Sequence, residues 1–596
     1  MKLTVQQQVI ISSNDSGLAI IANPGTAKTT TLVKSAVHLM DKFSSEQFLI
    51  SSFSRRDTHD LREKVKKELN DKPIPPEMVV TNHSFCNKAI VTAAHNFGIE
   101  EAQRYLESEK SHKLRICQGM LRSNFISEAI NKVTSGQSDD IDLSILSQEI
   151  ELWKSKCIPP EMIEDERRRQ IFHEYELTKR SKRYLDFSDM LLLTDKLFST
   201  NNQLLTHYQN RTKVILLDEM QDANPAWLNV LKHLVPTAEI VRVTGDMDQA
   251  IYSFRGSVSD FFNPLHKMRQ FKKASLTTNF RSRDEIISHA NKFMDVSMTG
   301  VIGTGGTVQY LGHFDNPEQE ALVTTDAILE LLNEYNPSDI MVLCRVGYGL
   351  RPISVALENA GVPFKLVGTK PFFRQPDIMD LMSYVKCAMP DTLTRRPWTF
   401  NPFMRIYNKP RRGLGKQWET LFWKHSGTIW ERLQKYYPDN FVPGVRNLRD
   451  TLSKVMEMDN PLNIIHYIWT FGGYSDYHEK HVDKTIDDVE QLRILCHQFT
   501  DIPQLLTYEH SSLKKADSDD AVKLMTIHGS KGTEAKVVFN LHCNNQDVLP
   551  HKRGLYDEER RLFFVCSTRA IDKLYFSSCH WDAQDERTVK SEFINL

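Results

Sequence analysis

Leu18-Ala19-Ile20-Ile21-Ala22-Asn23-Pro24-Gly25-Thr26-Ala27-Lys28-Thr29 runs directly into Thr30-Thr31-Leu32-Val33-Lys34-Ser35-Ala36-Val37-His38-Leu39-Met40: an apolar run, a turn and a helix-like stretch in immediate succession. That is the context a phosphate-cradling P-loop needs. Backbone N–H groups from Ala22 to Thr30, all but Pro24 carrying one, and the helix N-terminus are placed to surround phosphates, Lys28 to neutralise the β- and γ-phosphates, and the Thr29 hydroxyl to reach Mg²⁺. Both glycines of the GxxxxGK[ST] pattern are alanine here, at 22 and 27, and only the inner Gly25 remains. A left-handed backbone at Ala27 costs about 1–2 kcal/mol, whereas a right-handed one costs little. Taken alone, an ordinary strand-to-helix turn explains the loop equally well.

A second stretch decides between these readings. Val214 to Leu217 is a buried-strand run that ends in Asp218-Glu219-Met220-Gln221-Asp222. Adjacent carboxylates at a strand end suit a Walker B role, with Asp218 holding Mg²⁺ and Glu219 polarising an attacking water. Further short apolar runs, Phe48 to Ser52, Ile240 to Gly245, Ile340 to Cys344 and Val537 to His542, repeat the rhythm of α/β layers around buried parallel sheets. Residues 91–182 and 389–515 break that rhythm with helical spacing and many Lys and Arg, and read as helical insertions in two α/β cores.

The 596 residues make about four domains at roughly 150 residues each. With 40% hydrophobic and 25% charged residues, the composition excludes wholesale disorder and collagen-like repeats. The formal charge of -1 means that any polyanion must be gripped by local basic patches. Nine cysteines without zinc-site spacing read as reduced core residues, with no structural zinc or Fe–S cluster expected. No signal peptide or membrane span is legible, so the expectation is a cytoplasmic chain, in a bacterial cell or a phage-infected host.

Ordered along the chain, the motifs resemble those of the superfamily 1A helicases of the UvrD, Rep and PcrA type. Leu3-Thr4-Val5-Gln6-Gln7 is similar to the Q motif, Ser52-Phe53-Ser54-Arg55 to motif Ia, Thr81-Asn82-His83-Ser84 to motif Ib, and Leu185 to Met190 to the DFDDL segment. Gly245 to Gly256 resembles motif III, Leu276 to Ser282 motif IV, Val522 to Glu534 motif V and Glu558 to Ala570 motif VI. The resemblance implies two RecA-like P-loop cores with parallel sheets, each carrying a mainly helical insertion. Core 1A spans 1–90 and 183–275 with insertion 1B at 91–182; core 2A spans 276–388 and 516–596 with insertion 2B at 389–515.

It also implies roles. Gln7 reads the adenine edge, Phe280 stacks on the base where the family has Tyr, and Glu534 reaches the sugar or the motif V network. Gln249 senses the γ-phosphate or orients water, and Arg281 and Arg569 act as arginine fingers from the second core. Phe53, Tyr252 and Phe254 are base-stacking candidates, with core packing as the bland alternative for Phe53. His83, Arg255 and His528 join them as DNA contacts. In RIYNKPRRGLGKQ, Arg411 and Arg412 are candidates for duplex phosphates, against the alternative of a solvated helix face. The basic run from Arg167 to Arg183 follows Glu164, Asp165 and Glu166 and reads more simply as ion-paired helix.

The expected activity is ATP- and Mg²⁺-dependent translocation on single-stranded DNA and at single/double-strand junctions, 3′ to 5′ by resemblance, with unwinding and with a protein loading partner. Its rivals are a nucleic-acid-sensing ATP-binding switch, a translocase subunit of a larger complex that unwinds little by itself, and a P-loop ATPase acting on protein. The chain ends soon after motif VI, leaving no room for a fused nuclease.

Overall fold

In the computed structural model the described residues are 3–134, 141–252, 256–257, 260–368, 372–389, 401–481, 489, 492–493, 495–516, 519–545, 549, 555–580 and 589–594. They form two compact units, one comprising 1–320, 343–349 and 526–596, the other 321–342 and 350–525.

Six strands of the first unit belong to one sheet: β1 (Gly17–Ala22), β2 (Phe48–Ser52), β3 (Val79–Thr81), β4 (Val214–Leu217), β5 (Ile240–Gly245) and β6 (Lys272–Leu276). They lie in the order β3-β2-β4-β5-β1-β6, with every neighbouring pair parallel. The four residues of β4 show why it is apolar throughout. Val214 and Leu216 face a layer with Leu32, Ala36 and Leu61, while Ile215 and Leu217 face the opposite layer with Phe85, Ile90 and Trp227. A strand buried on both faces has no polar position to alternate with. The loops that follow β1, β4 and β5 leave the carboxyl edge of the sheet side by side, where open α/β sheets bind ligands.

The short β7 (Thr278–Asn279) and β8 (Thr299–Gly300) pair in parallel beyond this sheet. Further on come β9 (Thr307–Phe314), β10 (Ile340–Cys344), β11 (Phe364–Leu366), β12 (Val522–Thr526), β13 (Ala535–Asn540) and β14 (Ala570–Cys579). In the first unit β13, β14 and β9 form a second parallel ladder. The helix Tyr556–Ser567 covers it, stacking Phe563 on Phe576 at 5.0 Å. In the second unit β11 pairs with β12 in parallel, and the helices Pro376–Ala388, Val442–Met456 and Pro461–Thr470 share an aromatic-rich core around Trp418, Phe422 and Tyr474. Between residues 91 and 182 the described elements are helices and two isolated bridges, Leu106 with Leu114 and Ile116 with Leu185.

The helices Leu143–Ser155 and Glu166–Ser181 of the 91–182 stretch are fastened to the helix Phe187–Thr200 by a buried ion network. Lys154 Nζ lies 2.6 Å from Asp186 and 2.5 Å from Asp189, Lys179 Nζ lies 3.0 Å and 2.6 Å from the same carboxylates, and Glu176 touches both ammonium groups. Burial alone would raise the Asp186 carboxyl, but the two lysines hold it well below its ordinary value. Around this network the basic run is ion-paired: Arg168 with Glu149, Arg169 with Glu166, Lys182 with Glu128.

Two clusters have the residue types of a metal site, Glu176, Asp186 and Asp189, and Glu320, His542 and Cys579. The first already holds two lysines. In the second, His542 pairs with Glu320 through Nδ1 and with the Gly349 carbonyl through Nε2 at 2.8 Å. All nine cysteines are free thiols, and burial pushes the Cys566 thiol up to about 12, which makes it inert. Among the described residues no helix is long and apolar enough to cross a membrane.

Candidate functional site

β1 ends at Ala22, the chain turns through Asn23 to Ala27, and a helix runs over Lys28–Leu39. The Thr26 hydroxyl closes the turn by donating to the Asn23 carbonyl at 2.7 Å, and Phe280 N–H donates to the Gly25 carbonyl at 2.9 Å. Ala27 has φ 57° and ψ 41°, so it adopts the left-handed geometry, the costly one of the two open to it. No side chain caps this helix, so the N–H groups of its first turn point at the loop's own cavity, the arrangement that attracts an anion.

Opposite the loop, Asp218 is buried at the end of β4. One of its oxygens accepts from the Thr29 hydroxyl at 2.9 Å, the other from the Thr244 hydroxyl. A carboxylate and a hydroxyl oxygen side by side suit a hard, oxygen-seeking dication, so Thr29 and Asp218 fit Mg²⁺. Glu219, itself left-handed at φ 53°, turns toward Lys28, whose Nζ lies 3.1 Å from its carboxylate. Burial would raise Glu219, but Lys28 and then Lys531 hold it at about 2, ionised throughout the working range.

Asp222 and Asp246 behave oppositely: burial outweighs Lys531 beside Asp222 and Lys28 near Asp246 and pushes both up to about 6. A carboxyl whose folded pKa exceeds its unfolded value of 3.8 favours folding below that value, and this contribution is lost as pH rises toward 6. Asp246→Asn should therefore flatten the pH dependence of stability between those limits by up to about 3 kcal/mol. Chemical denaturation of parent and variant at fixed ionic strength checks the slope; parallel curves would contradict it.

Residues from motifs III to VI meet on this edge. Arg569, only 2% exposed, donates through Nη2 to Gln249 Oε1 at 3.0 Å, through Nε to the Val565 carbonyl at 2.9 Å and through Nη1 to the Thr533 carbonyl at 3.3 Å. Burial and the neighbouring Arg281 lower Arg569 to about 9, which still leaves it charged at neutral pH. Arg281 donates to Glu534 at 2.6 Å and to the Thr568 carbonyl at 3.1 Å. The Gln249 amide donates in turn to Asp246.

The profile of the UvrD/REP helicase N-terminal domain matches residues 3–270, and that of the UvrD-like helicase C-terminal domain matches residues 274–581. The chain belongs to the UvrD/Rep helicase family. Among its relatives, ATP-dependent DNA helicase UvrD1 of Mycobacterium leprae is 26% identical, covering 96% of this chain and 82% of that relative. ATP-dependent DNA helicase PcrA of Bacillus subtilis is 24% identical over 96% of this chain and 82% of its own length. ATP-dependent DNA helicase Rep of Buchnera aphidicola is 22% identical over 97% and 95%.

Other sequence-derived candidates of this helicase-family chain take varied places. Phe53 stacks on Tyr252 with ring centroids 6.0 Å apart, and the His528 ring lies 6.1 Å from that of Tyr252, tilted to it. Both Phe53 and Tyr252 are half-buried rather than core. His83 packs edge-on against Phe187 instead. Phe254 and Arg255 lie outside the described residues. Gln7 is wholly buried and its amide is already paired, accepting from Thr4 N–H at 3.0 Å and donating to Thr31 at 3.3 Å; its neighbour Gln6 bonds Thr277. Glu534 pairs with Arg281.

Arg412 corrects the phosphate-contact reading. Its guanidinium braces the 406–414 turn, donating to the carbonyls of Ile406, Lys409 and Pro410, to Asn447 and to the Tyr384 hydroxyl. Arg411 remains exposed. Residues not singled out beforehand also join the site. Lys531 bonds Asp222 at 2.7 Å and the Gln249 carbonyl at 2.9 Å while lying over the Tyr252 ring, and Gln221 ties Glu219 to Asp246 N–H. Lys531 sits in the motif V match and was visible as a cation; Gln221 and Thr244 carry no sequence signal beyond adjacency.

Proposed function

We propose that this chain is an ATP-dependent DNA helicase in which Lys28, Glu219, Gln249, Arg281 and Arg569 act on the phosphates of ATP, and that hydrolysis drives stepping along a single strand in the 3′ to 5′ direction. The observation that carries the reading is the Arg569–Gln249 bond of 3.0 Å, which joins motif VI to motif III beside the Lys28–Glu219 pair. Lys28 would leave Glu219 for the β- and γ-phosphates and free that carboxylate to orient water. The planar guanidinium groups of Arg281 and Arg569 would meet charge as it spreads over the transferred phosphoryl group. Mg²⁺ held at Thr29 and Asp218 would supply charge neutralisation of the phosphate oxygens.

Lys531 supports a link to the track, since one ammonium group touches the Asp222 carboxylate and the face of Tyr252. Bases stacking on Phe53 and Tyr252 would then feel the state of the nucleotide edge. In this reading 1–90 with 183–275 and 276–388 with 516–596 are the two motor cores, 91–182 and 389–515 are their arms, and the work is done on cytoplasmic DNA. The strained Ala27 favours one rival, a chain that binds ATP but turns it over slowly and signals nucleic acid to a partner.

ATP hydrolysis with and without a single-stranded oligonucleotide, followed by strand displacement on duplexes with 3′ or 5′ tails, tests the proposal. DNA should stimulate turnover, and Tyr252→Ala should weaken DNA binding by about 1–3 kcal/mol, roughly 5- to 150-fold, with nucleotide affinity retained. Turnover indifferent to DNA would sink the helicase reading, and binding without turnover would leave the switch.

A further inference from the structure

Asn279 closes β7, is 2% exposed, and its carboxamide bonds two parts of the site, the P-loop and the backbone at Arg281. Its Nδ2 donates to the Pro24 carbonyl in the P-loop at 2.9 Å. Its Oδ1 accepts from Arg281 N–H at 2.8 Å and from Ser282 N–H at 2.9 Å. The second Nδ2 hydrogen faces Met298 Sδ at 3.9 Å. Gly25, at φ +71°, lies flat on the amide: a Cβ there would come 2.6 Å from Nδ2. Two backbone bonds flank the contact, Phe280 N–H to the Gly25 carbonyl at 2.9 Å and Asn23 N–H to the Leu276 carbonyl at 3.3 Å.

The geometry points to Asn279 as a positioning residue that straps the P-loop to the backbone bearing Arg281, so that loop and guanidinium move together around a γ-phosphate. This deepens the proposed function and rests on its assignment of Arg281. The chemistry selects an amide. The loop side needs a donor for a carbonyl, and the Arg281 side needs an oxygen with two lone pairs for successive N–H groups. A carboxylate of the same shape satisfies the second demand, fails the first, and adds negative charge where phosphate binds. An alanine satisfies neither and leaves a void against Gly25.

The test uses the full chain and five forms: parent, Asn279→Ala, Asn279→Asp, Arg281→Ala and the double variant Asn279→Ala with Arg281→Ala. Affinity for ADP, which lacks the γ-phosphate, is expected to stay within about threefold of the parent in Asn279→Ala, while kcat of DNA-stimulated hydrolysis falls about 30- to 100-fold. In the Arg281→Ala background, Asn279→Ala should add no more than about a twofold further loss, because both act through one guanidinium. Asn279→Asp keeps the shape and the Arg281 side, so it should fold as the parent does and still lose kcat. Equal losses of ADP and ATPγS affinity, fully multiplicative losses with Arg281→Ala, or parental behaviour of Asn279→Asp would each overturn the strap. Should the parent itself show no turnover, the helicase reading fails separately. The strap is then read from the ATPγS-to-ADP affinity ratio, which Asn279→Ala must collapse as Arg281→Ala does; an unchanged ratio overturns it.

Discussion

Lys28→Ala is expected to lower DNA-stimulated ATP hydrolysis by about 10²- to 10³-fold or more, the usual consequence of removing one pre-aimed electrostatic contact to a reacting centre. Two effects combine. The direct one is the loss of the ammonium group that would face the β- and γ-phosphates. The indirect one falls on Glu219, which is buried and stays ionised at neutral pH because Lys28 and Lys531 face it. Without Lys28 its carboxyl is pushed up by burial, with Lys531 left to oppose it, and fewer molecules carry it as the anion at mildly acid pH. The residual activity of the variant should therefore fall more steeply between pH 7 and 6 than the parent's. A pH series of steady-state rates checks this, and a variant with parental kcat at any pH would contradict the assignment of Lys28.

Arg569→Ala should cost about 10³-fold in kcat, within the range an arginine finger supplies. Arg569→Lys should rescue little of it. A lysine restores the charge, but the native group serves the Gln249 amide oxygen and the Val565 and Thr533 carbonyls from one planar fork, and three rotatable ammonium hydrogens on a shorter reach cannot hold that set. The buried acceptors left behind also cost stability, so melting temperatures are measured alongside rates. Loss of kcat in a variant that retains ADP affinity and melts normally isolates the chemical role. A lysine variant with near-parental kcat would show that charge alone is required.

Much of this arrangement is readable from local sequence because its causes are local. Four consecutive apolar residues, Val214 to Leu217, report a strand buried on both faces, with Asp218 as its polar end, and Lys28 opens the helix after the turn that follows β1. What local pattern cannot supply is pairing across the chain. Nothing near Arg569 reveals that Gln249, 320 residues away, will accept a hydrogen bond from its Nη2. Nothing in RIYNKPRRGLGKQ separates Arg411, which is exposed, from Arg412, which donates to carbonyls of its own turn, to Asn447 and to the Tyr384 hydroxyl. Gln7 shows the same limit, since a residue type able to read a base is equally able to close a capping box with Thr4. Ala27 lay between two costs on sequence grounds, and the backbone angle resolved it.

The lysine and carboxylate cluster that joins Glu166–Ser181 to Phe187–Thr200 has a practical consequence. Lys154 and Lys179 are 3% and 1% exposed, so dissolved ions cannot screen them as they screen phosphate contacts at a surface. A concentrated salt wash should strip adhering nucleic acid from this molecule during purification and leave that arm seated where it was.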